Sequence, residues 1–248
     1  MKNKLFIFQF LIVLLISTGL QAQTYVKVSK SASEEFIRHA GFEVSYNKKN
    51  KIPNYTAYIH TRDKELKKVT NRTGSIFVKD PDTSAPQAAN ADYKRSGYDR
   101  GHLAPAGDMR WSFQAMKESF YFTNTAPQNG TLNRGEWNKL EQMVSKLAIK
   151  YDSIYVITGV IIENDGKYIG DSVKVPGFFY KALARKVNGR VVSMAYLMRN
   201  KKPAKDDTYN HSTTTVAVIE SMTDSKLFVN FKKIDKGNKN FDWFNLNH

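Results

Sequence analysis

The segment Asp99-Arg100-Gly101-His102 places a carboxylate, a guanidinium and an imidazole around one glycine, in a stretch too irregular for a long helix or strand. A neutral imidazole near pH 7 can take a proton from water, so His102 is a candidate general base. Arg100 can hold a phosphate through paired hydrogen bonds, and Gly101 lets the backbone approach a bulky ligand. In the alternative interpretation, Asp99 and Arg100 form an ion pair and His102 only satisfies a loop carbonyl. Spacing alone leaves both interpretations open.

A second pair of candidate residues, Asn133 and Glu141, lies on a predicted helix. From Asn133 onward the spacing of apolar residues predicts an amphipathic helix of about four turns. The apolar stripe consists of Trp137, Leu140, Val144, Leu147 and Ala148. On a regular helix Asn133 points the same way as this stripe and Glu141 lies on its flank. Asn133 is then either a helix cap beside a solvated Glu141, or the two residues form an oxygen-rich site for a hydrated magnesium ion.

Two stretches around these residues resemble the DNA/RNA non-specific endonuclease family, which includes endonuclease G and secreted bacterial sugar-non-specific nucleases. They are DRGHLAPAGDM, residues 99–109, and FYFTNTAPQNGTLNRGEWNKLE, residues 120–141. The strong match covers residues 93–159, and weaker similarity extends to both sides. The resemblance implies a ββα-metal (His-Me finger) core, in which a hairpin carries the histidine and the following helix carries the metal ligand.

The resemblance also implies a reaction, the magnesium-dependent hydrolysis of phosphodiester bonds in DNA and RNA to products with 5′ phosphates. His102 is then the general base that activates water. Asn133 is the direct magnesium ligand, and Glu141 holds the ion through water. Manganese or another divalent cation is expected to substitute for magnesium.

Three further catalytic candidates come from the same resemblance. Arg100 resembles the phosphate-contacting arginine, Asn124 the active-site asparagine, and Arg72 an upstream arginine that stabilises phosphate charge. One position departs from the family pattern, because Ser145 stands where the family often has an arginine. Lys146 follows it but would face about 100° away on a regular helix. Either another cation replaces the lost contact or phosphate binding is weaker.

Composition limits the classes of function. The 38 basic and 23 acidic residues give a formal charge of +15, or +13 once Lys2 and Lys4 are removed with a signal segment. Such an excess favours nucleic acid and other polyanions as partners. The absence of cysteine excludes disulfides, a thiolate zinc site, a cysteine nucleophile and lipid attachment to cysteine.

The N-terminal segment has the layout of a secretory signal, with Lys2 and Lys4 before an apolar run from Leu5 to Ile16. That run is shorter than the roughly 20 residues of a membrane-spanning helix. We therefore expect a signal peptide over residues 1–22, a single nuclease domain over residues 23–248, and an exported periplasmic or extracellular protein with no membrane contact after cleavage.

The remaining patterns predict an α+β fold around a central, mostly antiparallel sheet with separate helices. Residues 41–61 predict a hairpin, residues 153–162 a buried central strand, and residues 174–198 two or three more strands. Helices are expected in residues 113–120 and 211–222, and FYFTN, residues 120–124, is expected to be a strand.

Two other classes of function remain open. One is a polyanion-binding protein without catalysis, in which His102 is structural, and the other is a metal-dependent phosphodiesterase with a restricted substrate. A serine hydrolase is disfavoured because the sequence contains no G-x-S-x-G motif. A homodimer is compatible with the family resemblance, although no stretch of the sequence identifies its interface.

Overall fold

A computed structural model describes residue 28, residues 34–239 and residues 241–245, apart from the side chain of residue 243. Within these ranges the strands are β1 (Glu35–Arg38), β2 (Glu43–Asn47), β3 (Ile52–Thr61), β4 (Tyr98–His102), β5 (Thr125–Asn129), β6 (Ser153–Ile161), β7 (Tyr168–Ile169), β8 (Val173–Lys174), β9 (Phe178–Val187), β10 (Arg190–Arg199), β11 (Thr213–Thr214) and β12 (Ile234–Asp235). Eight of them form one sheet in the order β1-β2-β3-β6-β9-β10-β11, with β12 also paired to β10. Every pair in it is antiparallel except β10 with β12.

The α-helices of the described ranges are α1 (Arg62–Leu66), α2 (Asn90–Tyr93), α3 (Phe113–Ser119), α4 (Gly130–Leu132), α5 (Asn138–Tyr151) and α6 (Val216–Met222). A π-helical turn, Asn133–Trp137, joins α4 to α5. Shorter 3-10 turns occupy Ala106–Met109, Phe122–Asn124, Tyr209–Ser212 and Phe241–Phe244. In the part of the chain that the structure describes, none of these helices has the length and apolar character needed to cross a bilayer.

Both faces of the large sheet are covered, because alternate residues along each strand point to opposite sides. On β6, Ile154 and Val156 join the core cluster that contains the apolar side of α5. Their neighbours Tyr155 and Ile157 join a second cluster with α6. The sheet is therefore the middle layer of the molecule, and the catalytic candidates lie on the α5 side.

The predicted α+β class with a mostly antiparallel sheet is confirmed. The expected hairpin is β2–β3, the expected central strand is β6, and the late helix is α6. The prediction of a strand at residues 120–124 was wrong, because Phe122–Asn124 forms a 3-10 turn and β5 starts at Thr125. The Thr125 hydroxyl donates to the Tyr121 carbonyl and closes this turn. The predicted signal peptide, residues 1–22, lies outside the described residues.

Candidate active site

Strands β4 and β5 form a separate antiparallel pair that presents the central motif. Gly101 lies opposite Ala126, and a Cβ atom at Gly101 would stand 2.6 Å from the Cβ of Gln128. Only glycine therefore fits at this position without displacing β5. The side-chain oxygen of Asn129 then accepts hydrogen bonds from the backbone N–H groups of Thr131 and Leu132, and this capping starts the helical segment that follows β5.

Beside this ββα unit lies a cavity of about 930 Å³. Five of the six candidate residues line it, namely Arg72, Arg100, His102, Asn133 and Glu141. Residues from separate parts of the chain thus meet at one surface.

His102 ends β4 and packs against two phenylalanine rings. Its ring lies edge-on to Phe120 at 4.9 Å between centroids, and 5.1 Å from Phe77. The Nε2 atom is buried and makes no hydrogen bond. Burial lowers the pKa of His102 to about 3, and the positive charge of Arg72 adds to this shift. The imidazole is therefore neutral at physiological pH and does not satisfy a loop carbonyl through Nε2.

The two candidate arginines reach the cavity from different segments. The Arg100 guanidinium lies over the rings of Tyr93 and Phe77, at 5.2 and 5.6 Å from their centroids. Its Nη2 makes a long 3.4 Å hydrogen bond to the Asn90 carbonyl, and its Nε is buried without a partner. Arg72 is exposed and lies 5.7 Å from the Phe120 ring. Aromatic stacking fixes Arg100 in place while most of its hydrogen-bonding capacity stays available for a phosphate.

Asp99 orients the amide of Asn133. The Asn133 Nδ2 donates to Asp99 Oδ2 at 2.9 Å, so the amide oxygen Oδ1 is left as the group that can bind a cation. Arg134 also binds Asp99, with its Nη1 at 2.7 Å from Oδ1. Asp99 therefore pairs with the segment after β5, and the Asp99–Arg100 ion pair of the alternative interpretation is not formed.

The segment around Asn133 is not the regular helix that the sequence predicts. Gly135 has φ −102° and ψ −110°, outside helical geometry, and the regular helix α5 begins only at Asn138. The angular argument that placed Asn133 and Glu141 relative to the apolar stripe is therefore invalid across Gly135. Both residues nonetheless line the cavity.

Glu141 lies in the first turn of α5 and is partly buried in the wall of the cavity. Burial raises its pKa to about 7. The positive charge of Lys181 opposes this shift, while the nearby carboxylate of Asp108 adds to it. The side chain of Lys181 is buried, and its Nζ donates to Thr158 Oγ1 at 2.7 Å. Glu141 thus takes up a proton readily unless a cation is bound close to it.

Asn124 does not line the cavity. It is fully buried, its Nδ2 donates to the carbonyls of Ala104 and Ser119, and its Oδ1 accepts from the N–H of Ala104. These bonds hold together the two ends of the connection between β4 and β5. The structure therefore places Asn124 behind the site, where its side chain bonds the backbone of Ala104, two residues after His102.

The position that departs from the family pattern also faces the cavity. Ser145 Oγ lies 3.5 Å from Asp108 Oδ1, and Lys146 lines the same wall. Arg110, which the sequence reasoning did not single out, is a further cationic residue of the wall. Lys146 and Arg110 are thus candidates to replace the missing arginine.

Two histidine-carboxylate groups were also missed by the sequence reasoning. His60 Nε2 lies 3.0 Å from Glu65 Oε2 and 3.7 Å from Asp108 Oδ1 at the edge of the cavity. His39 forms a second group with Asp80 and Asp82. Asp108 is far in the sequence from His60 and Glu65, and His39 is far from Asp80 and Asp82, so only the fold could show that each group meets. The fifth histidine, His248, lies outside the described residues.

The residues of the cavity fit a magnesium ion. Asn133 offers an amide oxygen whose orientation Asp99 sets, and Glu141 offers a carboxylate whose pKa is raised mainly by burial and further by the nearby Asp108. Magnesium prefers oxygen ligands and keeps several waters, and an open cavity lined by one amide and nearby carboxylates meets that preference.

Comparison with known proteins gives consistent matches. The family model described as "DNA/RNA non-specific endonuclease" matches residues 21–234. The "Nuclease 1, mitochondrial" of Schizosaccharomyces pombe is 31% identical over 227 residues, which cover 84% of this chain and 69% of that protein. The bovine "Endonuclease G, mitochondrial" is 41% identical over 143 residues, 52% of this chain and 48% of that protein. The chain thus spans about half the length of several relatives.

The fold matches a solved structure as well. A crystal structure of the EndoG/EndoGI complex aligns with a TM-score of 0.72 and 30% sequence identity, over 80% of this chain and 89% of that chain. The relatives from S. pombe, cattle and human have mitochondrial names. These relatives contradict the expectation of an exported periplasmic or extracellular protein.

Proposed function

Because the chain belongs to the DNA/RNA non-specific endonuclease family, we propose that it hydrolyses phosphodiester bonds of DNA and RNA in the cavity beside β4, β5 and α5. The observation that carries this proposal is the meeting of His102, Arg100, Arg72, Asn133 and Glu141 at one cavity. The group combines a base, cationic contacts and oxygen ligands, which are the components that phosphodiester hydrolysis requires.

His102 takes the proton from the attacking water. The imidazole is neutral because its pKa is low, so it needs no prior deprotonation at pH 7. A base with such a low pKa is weak, but a bound phosphate brings negative charge close to the ring and raises the pKa of the imidazole. Substrate binding therefore strengthens the base at the moment when it is needed.

Arg100 and Arg72 neutralise the charge that accumulates on the phosphorus centre in the transition state. Arg100 is held by the rings of Tyr93 and Phe77, so little side-chain entropy is lost when it binds a phosphate. Arg72 comes from the exposed segment before Phe77 and approaches from another side of the cavity.

Asn133 and Glu141 would hold the divalent cation, Asn133 directly and Glu141 through water. When bound, the ion supplies positive charge next to the phosphate and the leaving oxygen. Asp99 keeps the Asn133 amide in the binding orientation, and Lys181 favours the ionised form of Glu141. We propose magnesium as the ion and 5′ phosphates on the products.

The absence of sequence preference follows from the groups involved. The proposed contacts go to phosphate and cation, and such contacts position a protein on nucleic acid without reading its bases. The high positive charge of the chain adds attraction that is independent of sequence.

Digestion of plasmid DNA and total RNA, with magnesium and with EDTA, tests this function. We expect magnesium-dependent degradation of both substrates. His102→Ala should lower kcat by about 10² to 10⁴ while DNA binding is retained. His211→Ala, which changes an exposed histidine, is the matched control and should behave as wild type. Tight DNA binding without cleavage under any metal would instead indicate a binding protein.

A further inference from the structure

A buried histidine outside the cavity faces two carboxylates from another segment. His39 follows β1, and Asp80 and Asp82 lie in the loop between Val78 and α2. The His39 Nε2 atom is 3.2 Å from Asp80 Oδ2, and its Nδ1 is 3.7 Å from Asp82 Oδ2. One ring nitrogen and one oxygen from each aspartate lie within 4.8 Å of one another. None of these residues lines the active-site cavity.

The imidazole of His39 is fully buried, and neither of its ring nitrogens makes a hydrogen bond of acceptable geometry. An unpaired polar group in the interior is destabilising, so proteins usually provide a partner for it. Both nitrogens face carboxylate oxygens, so the imidazole is the unsatisfied member of the group, while Asp80 already accepts hydrogen bonds from the Asp82 N–H and the Thr123 hydroxyl.

The charges around this group are unbalanced. Asp80 is buried, and the buried Glu118 accepts a hydrogen bond from the N–H of Ala40, the residue after His39. Among the described residues, no lysine or arginine forms an ion pair with Asp80, Asp82 or Glu118. In a chain with 38 basic and 23 acidic residues, His39 is thus the one basic side chain recorded against these carboxylates among the described residues.

We propose that His39, Asp80 and Asp82 bind a divalent transition-metal ion of the zinc class. One imidazole nitrogen with carboxylate oxygens is a ligand set that suits zinc, whereas magnesium and calcium prefer oxygen ligands alone. The separation of 3.2 Å between Nε2 and Asp80 Oδ2 suits two ligands of one ion with bonds of about 2.0 to 2.2 Å. The Asp82 side chain is 55% exposed, so the site is open to solvent on one side.

An ion at this site would tie together segments that support the active site. His39 belongs to the connection between β1 and β2, and the aspartates to the loop that leads to β4. Asp80 Oδ2 also accepts a hydrogen bond from Thr123 Oγ1, directly before Asn124. Because Asn124 holds both ends of the β4–β5 connection, the proposed ion stabilises the hairpin of His102 from behind.

Zinc titration of the full-length chain by calorimetry tests the proposal. The chain carries Asn133→Ala, so that the proposed catalytic metal site does not contribute. We expect binding of one zinc ion and a rise in Tm of roughly 5 °C at a hundredfold excess of zinc over Kd. Asp82→Asn should weaken binding at least about tenfold without unfolding the chain, because this aspartate is largely exposed.

Asp165→Asn is the matched control, because it removes one exposed carboxylate elsewhere and should leave zinc binding unchanged. Glu65→Gln tests the other histidine-carboxylate group. Zinc affinity unchanged by Asp82→Asn but lost in Glu65→Gln would place the ion at His60 and overturn the proposal. No zinc binding would also overturn it and leave His39 and Asp80 as a buried pair. None of these readouts depends on nuclease activity.

Discussion

His102 and Glu141 face the same cavity, yet their pKa values move in opposite directions, to about 3 and about 7. The main cause is the same for both, since burial disfavours whichever form is charged. At neutral pH the imidazole is therefore in its basic form, while the carboxylate is close to half protonated. The site can therefore accept a proton at His102 and a cation beside Glu141.

The raised pKa of Glu141 predicts a pH dependence of stability. Since its pKa is about 7 in the native state and about 4.5 when unfolded, the native state binds more protons between these values. Glu141 therefore stabilises the native state below pH 4.5, and this stabilisation is lost as pH rises through 7. Its size is on the order of 3 kcal/mol. Urea unfolding in EDTA from pH 4.5 to 8 should show this loss in wild type and not in Glu141→Gln. Parallel curves for the two proteins would contradict the assignment.

At the scale of secondary-structure elements, the sequence predicts the parts with regular patterns. The apolar stripe of α5 and the apolar run of β6 are long enough to be recognised, and both elements form where expected. The π turn at Asn133–Trp137 could not be predicted, because it depends on Gly135 leaving helical geometry, and glycine accepts many conformations. The role of Asp99 as the partner of Asn133 depends on where that turn places the amide. The family resemblance indicated the six candidate site residues. Only the fold shows that Asn124 is buried behind the cavity while the other five line it.

The close approach of β4 and β5 predicts the effect of a small substitution. Gly101→Ala should destabilise the chain by roughly 1 to 3 kcal/mol, because the new methyl group would meet Gln128, whose Cβ is 2.6 Å away. Gln128→Gly removes the opposing atoms and should recover part of this loss in the double variant. A double-mutant cycle by urea unfolding measures the coupling, and purely additive effects would show that the strands do not approach as described.

Lys146 follows Ser145 on α5 and lines the cavity, so it is the first candidate to replace the arginine missing at Ser145. If Lys146 contacts the phosphate, Lys146→Ala should raise KM for DNA several-fold with a smaller change in kcat, because a rim charge contributes mainly to binding. Lys205→Ala removes an exposed lysine that is not part of the cavity wall and serves as the control. Equal KM values for the two variants would show that Lys146 does not contact the phosphate. Arg110 would then be the remaining candidate, or the arginine missing at Ser145 would have no replacement.

At the scale of the whole molecule, the positive charge predicts how binding responds to salt. Each phosphate contact that releases a counterion makes the logarithm of affinity fall more steeply with the logarithm of salt concentration. Arg100→Ala should reduce that slope by about 1, and the weakening should be similar for all DNA sequences. Fluorescence anisotropy with catalytically inactive His102→Ala chains, with and without Arg100→Ala, measures both slopes. An unchanged slope would show that Arg100 makes no phosphate contact in the bound state.

Lys181 lies on β9, in the middle layer of the molecule, yet its charge acts on Glu141 in the wall of the cavity. Trp137, which leads into α5, likewise packs against Phe179 of the same strand. A fragment from Tyr93 to Tyr151 grafted onto a foreign scaffold would therefore carry the whole recognisable motif and leave its counter-charge behind. The segment needed to transfer this site is therefore longer than the sequence motif. A design that grafts the motif must also provide a buried lysine next to Glu141.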